Sequence, residues 1–425
     1  MSEWTEVRLG DGLRVHHGFA FKGEFFSPEG KQIVLTPGNF IERGGFKPKN
    51  GTEKYYLGPV PEKFLLRQGD VVIAMTEQAQ GLLGSSATIP EDGTYLHNQR
   101  IGLLELLDPE LFDLRFVYHL MNSPNVRRQI QATATGSKVR HTAPERILAV
   151  TALVPTVTEQ QTLAEILDSV DELIENNRRR VAVLEEMARA IYREWFVKFR
   201  YPGHEDVPLI DSALGPIPEG WIARPLREVS SVVARGISPK YADEGEWVVL
   251  NQKCVRDGRV SFGPSRRQER AVSDAKRIRT GDVLINSTGV GTLGRVAMYR
   301  GPSAGVTVDS HVTISRPAEE SLNPWYALSI LGMQAEIERL GAGATGQTEL
   351  RKTDVEALEL VQPVAAVLDA FSVAVSPLLE QVDVFLTQIE ALSALRDLLL
   401  PKLVTGQIEV SALDLDSLVA EEVGS

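Results

Sequence analysis

The chain carries one pattern twice, about 210 residues apart, and this repeat limits the folds that are open to it. Residues 69–73 read GDVVI, and residues 281–285 read GDVLI. Such a period is far longer than the roughly 20–50 residues of a solenoid repeat, so it indicates a duplicated domain, called a head below. Further matching pairs occur in the same order: Trp4 with Trp221, Leu9 with Leu226, residues 35–40 with 250–255, Gly44 with Gly258, Leu83 with Leu293, Gly84 with Gly294, Gly136 with Gly346, and Pro155 with Pro363.

A long helix is predicted after each matched proline. The first begins near Thr158, where TEQQ fits a capping box, and runs without glycine or proline to about Phe199. The second contains Pro377, which should kink the helix or mark its real start. In both helices the apolar residues recur in steps of four and three, the spacing of a coiled-coil seam. The seam residues are Leu163, Leu167, Val170, Ile174, Asn177, Val181 and Leu184 in the first helix, and Leu378, Val382, Phe385, Ile389 and Leu392 in the second.

The two seams have matching lengths and each follows a copy of the same head, which favours pairing of the helices with each other. The alternative is two independent surface helices. The polar seam residues Asn177 and Arg396 would fix the register of a pair. Because a whole head separates the helices along the chain, heads at opposite ends of the pair require antiparallel helices. Such a pair would act as a ruler between the heads.

The length of 425 residues predicts two or three domains. We expect an α+β protein, with two mixed-β heads joined by two long antiparallel coiled-coil helices and a pseudo-twofold internal repeat. Within the heads, helices are expected at residues 114–121 and 325–338. The predicted divisions are residues 1–155 for the first head, 156–205 for the central helix, 206–363 for the second head, 364–405 for the C-terminal helix and 406–425 for an acidic tail.

The single cysteine, Cys254, excludes a disulfide framework and is typical of a reducing compartment. The N-terminal residues lack a signal-peptide pattern. The nearest approach to a membrane span, residues 364–379, is interrupted by Asp369 and Pro377. These features predict a soluble intracellular protein.

The net charge of −12 argues mildly against nucleic-acid binding, but the charges are unevenly placed. Basic side chains collect in the heads, whereas acidic ones collect on the helices and in the tail, so we expect the heads to meet a polyanion and the helices to meet protein. Two polar loops, residues 134–141 and 344–352, suit base and phosphate contact. Ordinary solvated loops are the alternative. The candidate DNA-binding residues are Arg127, Arg128, Lys138, Arg140, His141, Arg266, Arg267, Lys276, Arg277, Arg279, Gln347, Thr348, Arg351 and Lys352.

No catalytic arrangement is apparent in the sequence. The seven histidines have no metal-ligand spacing, and the sequence has no P-loop. Residues 323–326 (NPWY) look like the NPPY motif of amino-methyltransferases. However, the matching residues 113–116 open a helix, and Asn323 followed by Pro324 fits a helix start as N-cap and N1. We therefore predict no catalytic residue, metal or cofactor in this chain.

Several segments resemble the specificity subunits of type I restriction–modification enzymes: residues 155–161 (PTVTEQQ), 166–171 (ILDSVD), 185–199 (EEMARAIYREWFVKF), 218–221 (PEGW) and 398–403 (LLLPKL). The resemblance implies that each head is a target-recognition domain for one half of a split site in double-stranded DNA. It implies that the antiparallel helices set the spacer and dock two methyltransferase subunits, which motor–nuclease restriction subunits join. The chemistry of DNA methylation and restriction would then belong to those partners, in a cytoplasmic phage-defence system without a membrane role.

The second copy departs from this family pattern, because residues 364–371 lack the Glu-Gln start found at Glu159 and Gln160. Two other functions stay open at this point. One is a DNA adenine methyltransferase with its own active site, and the other is a protein-binding coiled-coil adaptor.

Overall fold

The computed structural model describes residues 4–49, 51–77, 81–136, 139–341 and 349–403. The chain forms two compact units. Unit 1 comprises Met1–Asn177 and Gln388–Ser425, and unit 2 comprises Arg178–Thr387. Each unit therefore contains one head together with part of both long helices.

Unit 1 is built from short strands, with helices inserted among and after the last of them. Its four-stranded sheets have the orders β2-β10-β6-β8 and β3-β5-β4-β9, and β4 and β9 are parallel neighbours. The strands are β1 (Thr5–Arg8), β2 (Leu13–His17), β3 (Phe26–Ser27), β4 (Ile33–Val34), β5 (Tyr55–Tyr56), β6 (Val71–Ala74), β7 (Thr76–Glu77), β8 (Ser86–Thr88), β9 (Tyr95–Leu96), β10 (Ile101–Leu106), β11 (Arg140–His141) and β12 (Thr151–Val154). The helices are α1 (Leu114–Asn122), α2 (Pro124–Ala132), α3 (Pro144–Leu148) and α4 (Val157–Tyr192), whose last part lies in unit 2.

Unit 2 repeats this plan. Its sheets have the orders β16-β25-β22-β23 and β17-β21-β18-β24, with β18 parallel to β24. The strands are β13 (Leu209–Ile210), β14 (Ile217–Pro218), β15 (Ile222–Pro225), β16 (Ser230–Arg235), β17 (Tyr241–Ala242), β18 (Trp247–Leu250), β19 (Val255–Arg256), β20 (Arg259–Val260), β21 (Arg266–Gln268), β22 (Val283–Asn286), β23 (Val296–Met298), β24 (Val306–Val308), β25 (Val312–Pro317) and β26 (Glu359–Gln362). The helices are α5 (Trp325–Gly332), α6 (Gln334–Leu340), α7 (Lys352–Glu356) and α8 (Ala365–Leu403), which ends in unit 1.

The two heads share the strand order of their two four-stranded sheets. In each, the order of the first sheet places the repeated Gly-Asp strand third, as β6 or β22, and the second sheet contains one parallel pair. The pairs β1–β12 and β15–β26 close each head beside its long helix. The internal repeat read from the sequence is thus a repeat of structure.

The repeated Gly-Asp dipeptide is a turn that starts the central strand. Gly69 and Gly281 have positive φ values of 87° and 91°, which glycine adopts without strain. The carboxylate of Asp70 accepts the Arg67 N–H, and that of Asp282 accepts the Arg279 N–H, each at 2.8 Å. The dipeptide is therefore explained by local folding in both copies.

Both faces of this strand are buried, which explains its unbroken apolar run. In β6, Val71 and Ile73 belong to a core shared with α1, α2 and α3, whereas Val72 and Ala74 face a second core with Leu35. The strand β22 divides its side chains between two cores in the same way. Each central strand is thus held firmly from both sides.

The structure corrects three details of the predicted helices. The first long helix begins at Val157, and its capping contacts join Thr156 and Glu159 rather than starting at Thr158. The helix α8 continues through Pro377, so this proline does not mark its start. The predicted helix at residues 325–338 is two helices, α5 and α6, separated at Met333, and Pro324 precedes the first of them instead of occupying its N1 position.

By length and composition, α8 is apolar enough to cross a membrane over Ala365–Lys402. Its buried side chains show another use for this apolar character. Phe371 and Val375 lie in the core of unit 2, and Leu395 and Leu399 lie in that of unit 1. Core helices of soluble proteins can have the same length and apolar composition, so these two features are weak evidence for a membrane span.

Candidate nucleic-acid interface

Arg127 does not fit the predicted phosphate contact. It is only 8% exposed, and its guanidinium donates to the carbonyl oxygens of Leu83 (3.1 Å), Glu42 (3.0 Å) and Gly81. Burial lowers the pKa of this arginine. The side chain holds the loop after β7 against α2, so we remove it from the candidate interface.

Two other predicted cations of the first head, Arg128 and Arg140, are more accessible. Arg128 is exposed, and its Nε donates to the Pro124 carbonyl at 3.1 Å. Arg140 is half-buried, and its Nη1 lies 3.3 Å from Glu77. Lys138 lies outside the described residues.

His141 lies at the edge of a cleft of about 480 Å³ in the first head. The pairing of β11 with β7 brings its Nδ1 to 3.1 Å from the Thr76 hydroxyl. Among the described residues that line this cleft, none has an acidic side chain, which suits a polyanionic ligand. They are His17, Gly18, Met75, Thr76, Gln99, Arg100, His141 and Thr142.

In the second head, two predicted arginines lie over aromatic rings. The guanidinium of Arg266 is 3.8 Å from the ring centroid of Tyr241, and that of Arg277 is 5.1 Å from Trp247. Both arginines are exposed. Arg277 also pairs with Asp274 at 3.0 Å, which offsets part of its charge. Stacking fixes Arg266 at the surface with its charge available.

The remaining predicted cations of the second head are spread over several segments. Arg267 and Arg279 are exposed, and Arg267 Nη1 donates to the Gly245 carbonyl at 2.9 Å. Lys276 is half-buried and donates to the Arg235 carbonyl. Burial, aided by the charge of Lys352, lowers the pKa of Lys276.

Of the predicted loop at residues 344–352, Gln347 and Thr348 lie outside the described residues. Arg351 and Lys352 are exposed at the start of α7, and Lys352 Nζ lies 3.2 Å from Glu356. The next described loop residue, Glu349, forms a bridge with Thr288.

This bridge is the counterpart of the Thr76–His141 pair in the first head. Thr76 and Thr288 each follow the glycine of their Gly-Asp turn by seven residues. The Thr288 hydroxyl lies 2.7 Å from Nδ1 of His311, and Arg235 pairs with Glu349. The same edge of both heads therefore carries a cluster of polar side chains, with different residues in each.

Sequence reasoning identified His141 in the first cluster but missed Thr76, Gln99 and Arg100. Thr76 could have been found from its spacing to the repeated turn. Gln99 and Arg100 precede β10 and have no motif around them, so only the folded sheet reveals their place in the cleft.

The residues of the methyltransferase-like segment serve the core of unit 2. The Asn323 amide donates to the Gly281 carbonyl at 3.1 Å, beside the Gly-Asp turn. Tyr326 is fully buried, with its hydroxyl 2.7 Å from Ser230 and 2.6 Å from Ser315. Within the described part of the chain, no group of three His, Cys, Asp or Glu residues could hold a metal ion.

Within unit 1, the long helices contact each other through polar pairs. Arg396 Nη1 lies 3.0 Å from Asp171, whose other oxygen accepts the Tyr118 hydroxyl at 3.3 Å. Asn177 Nδ2 donates to Gln388 at 3.1 Å. The order of these pairs along the two helices is antiparallel, and the hydrogen bond between Tyr118 and Asp171 ties α4 to α1.

The predicted seam residues lie at or near buried positions. Unit 1 buries Leu163, Leu167, Val170, Ile174 and Asn177 from α4, and Leu392 packs on Val170 and Ile174 with half-buried Ile389 beside them.

In unit 2, Val181 and Val382 are buried. Leu184, Leu378 and Phe385 are half-buried, and the Arg180 guanidinium lies 5.3 Å from the ring centroid of Phe385.

Comparison with known proteins gives one family. Residues 1–186 match the family model of the type I restriction modification DNA specificity domain. The chain is 23% identical over 301 residues to the type I restriction enzyme MjaIX specificity subunit of Methanocaldococcus jannaschii, covering 70% of each chain. It is 22% identical over 343 residues to the EcoBI specificity subunit of Escherichia coli, covering 77% of this chain and 67% of the relative.

The fold is also similar to a solved structure, the S subunit of a type I restriction–modification system from M. genitalium. The TM-score is 0.58 at 17% identity, over 95% of this chain and 96% of that chain. The family match over residues 1–186 and both curated relatives thus agree that the chain is similar to the specificity subunits of type I restriction–modification enzymes.

Proposed function

We propose that this chain recognises the DNA target of a type I restriction–modification complex, and that each head reads one half of a bipartite site. The observation that carries the proposal is the duplicated head, whose two copies keep the same strand order around clusters of different polar residues. Two copies of one scaffold with different side chains suit two different half-sites.

Exposed cations support DNA contact by both heads. Arg128 in the first head, and Arg266, Arg267 and Arg279 in the second, can pair with phosphates. Lys138, Arg140, Arg277, Arg351 and Lys352 remain part of this proposal, together with Gln347 and Thr348 as base contacts. Phosphate contacts position a protein on the duplex, whereas the polar clusters would supply base contacts.

The long helices are proposed to form an antiparallel coiled coil that sets the spacer between the half-sites. The pairs Asp171–Arg396 and Asn177–Gln388 support this, because polar pairs within a seam favour one register over shifted alternatives. The five divisions of the chain predicted above form part of the same proposal.

We further propose that two methyltransferase subunits dock on the helices and that motor–nuclease subunits join them, in the cytoplasm and without a membrane role. This chain acts as a non-catalytic subunit and needs no cofactor of its own. Methyl transfer and restriction of phage DNA are then activities of the assembled complex.

The test is to produce the chain with and without its methyltransferase partner in a host free of adenine methylation, and to map methylated adenines across the genome. The expected result is a bipartite motif with the partner and no methylation without it. Methylation by the purified chain alone, abolished in Asn323→Ala, would instead identify an adenine methyltransferase. A chain that binds its protein partner but shows no salt-dependent DNA binding, alone or in the complex, would be a protein-binding adaptor.

A further inference from the structure

One tight turn occurs at the same place in both heads. In the first head it is residues 98–100, just before β10, and in the second it is residues 309–311, just before β25. The Arg100 carbonyl accepts the Met75 N–H at 3.0 Å, and the His311 carbonyl accepts the Ser287 N–H at 2.8 Å. Each turn is thereby joined to the chain that leaves the repeated Gly-Asp strand.

A second contact fixes the other side of each turn. The Phe19 N–H donates to the His97 carbonyl at 2.7 Å, and the Gln99 N–H donates back to the Phe19 carbonyl at 3.0 Å. At Gly18 a Cβ atom would lie 2.3 Å from the Asn98 carbonyl oxygen, so only glycine allows this approach.

The second head repeats the first of these hydrogen bonds and the close approach of a glycine. The Ile237 N–H donates to the Val308 carbonyl at 2.9 Å, and a Cβ on Gly236 would lie 2.1 Å from that oxygen. The first residue of each turn also caps it with its side chain. Asn98 Oδ1 accepts the Arg100 N–H at 3.0 Å, and Asp309 Oδ1 accepts the His311 N–H at 2.9 Å.

The backbone of the turn is therefore the same in the two heads, while its displayed side chains differ. The first head displays Gln99 and Arg100, and the second has Ser310 and His311 at the equivalent positions. Two copies of one domain that bind different ligands of the same kind are expected to keep the backbone of the binding element and to differ in its exposed side chains.

The exposed pair in the first head also has unused hydrogen-bonding capacity. Within the described part of the chain, the side chains of Gln99 and Arg100 make no hydrogen bond or ion pair, and both line the cleft beside His141. The buried Thr142 hydroxyl in the same cleft also lacks a partner there. The Gln99 amide offers both a donor and an acceptor, which matches the edge of a base.

Building on the proposed function, we propose that this turn is the base-reading element of each head, with Arg100 reading a guanine and Gln99 an adenine in the first half-site. An arginine can donate two hydrogen bonds to O6 and N7 of guanine, and a glutamine side chain pairs in the same bidentate way with N6 and N7 of adenine. Ser310 and His311 read the second half-site.

The experiment uses the complex of the chain with its methyltransferase partner and a panel of duplexes that carry every single base-pair change in the mapped site, at one salt concentration. Arg100→Ala should remove discrimination at one G·C pair, about tenfold or more, and Gln99→Ala at one A·T pair. Arg100→Lys should retain part of the guanine preference, because lysine also contacts guanine. The double change of Ser310 and His311 to alanine should alter base discrimination only in the other half-site.

Arg14→Ala is the matched control, since Arg14 is an exposed arginine of the same head that pairs with Glu105 away from the cleft lining. It should leave every base preference unchanged. The proposal is overturned if the Gln99 and Arg100 variants weaken all duplexes equally, if they change nothing, or if they alter the same half-site as the Ser310 and His311 variant. A wild-type complex without any base preference on the panel would instead refute the proposed function.

Discussion

Replacing His97 by valine should remove a pH-dependent loss of stability from the first head. His97 lies directly before the base-reading turn, is 1% exposed, and its Nε2 lies 2.8 Å from the Ile101 carbonyl oxygen. Burial lowers the pKa of this imidazole from 6.5 to about 4. The folded head therefore holds a neutral histidine under conditions in which the unfolded chain would bind a proton.

This difference in proton binding sets the direction in which the stability of the head changes with pH. The stabilising contribution is complete above pH 6.5 and is lost as the pH falls from 6.5 towards about 4, because only the unfolded chain gains the proton there. One pKa unit corresponds to about 1.4 kcal/mol, so the full loss is about 3 kcal/mol. Between pH 7 and pH 5 the loss should be about 2 kcal/mol.

The assay is urea unfolding of the chain at pH 7 and pH 5, for the wild type and for His97→Val. Valine is the residue that the second head has at this position, Val308, so the backbone accepts it. Between pH 7 and pH 5, the free energy of unfolding of the variant should fall by about 2 kcal/mol less than that of the wild type, whatever the stability of the variant at pH 7. Equal losses in the two proteins would refute the assignment of a buried neutral histidine.

Three further predictions concern individual side chains. Arg127→Met should lower the free energy of unfolding by about 3 kcal/mol in urea titrations, because three carbonyl groups lose a charged donor. The control Arg128→Met, at the exposed neighbouring position, should change the free energy of unfolding by no more than about 0.5 kcal/mol. Similar effects of the two changes would contradict the buried placement of Arg127. Arg396→Leu should lower the free energy of unfolding by about 2 kcal/mol, because Asp171 loses its ion-pair partner. Adding Asp171→Asn should recover part of this loss. An Arg396→Leu variant as stable as the wild type would argue against the ion pair. Changing both Arg266 and Arg267 to glutamine should lower the log–log salt slope of DNA binding by about 0.9 for each true phosphate contact, and an unchanged slope would place DNA elsewhere.

Features that depend on residues close in sequence were predicted well. The helix expected at residues 114–121 is α1, Leu114–Asn122, and Asp113 caps it by accepting the Arg115 and Phe116 N–H groups. The repeated Gly-Asp turn and the four-and-three spacing of the long helices are also local patterns. Local patterns fix such elements because the hydrogen bonds and side-chain spacing involved span only a few residues.

Features that depend on distant segments were not predictable in this way. The charge of Arg127 suggested a surface position, but three carbonyl groups from residues 42, 81 and 83 converge on it only in the folded head. Pro377 suggested a kink or the real start of the helix, but α8 begins at Ala365 and continues through Pro377, with Phe371, Val375 and Leu379 packed in the core on either side of it. The cleft beside Arg100 is assembled from four separate segments, so no single stretch of sequence identifies it.

We propose that two heads read two half-sites at a distance set by the paired helices. The direct test is to insert four residues into each long helix at the hydrogen-bonded pair Asn177–Gln388, and to map the methylated motif of the resulting complex. Four residues are about one helical turn, so the seam stays nearly in phase while the helix pair lengthens by about 6 Å. Since DNA rises about 3.4 Å per base pair, both half-sites should be retained and the spacer should grow by one or two base pairs. A spacer of unchanged length, or altered bases within either half-site, would show that the paired helices do not set the distance between the half-sites.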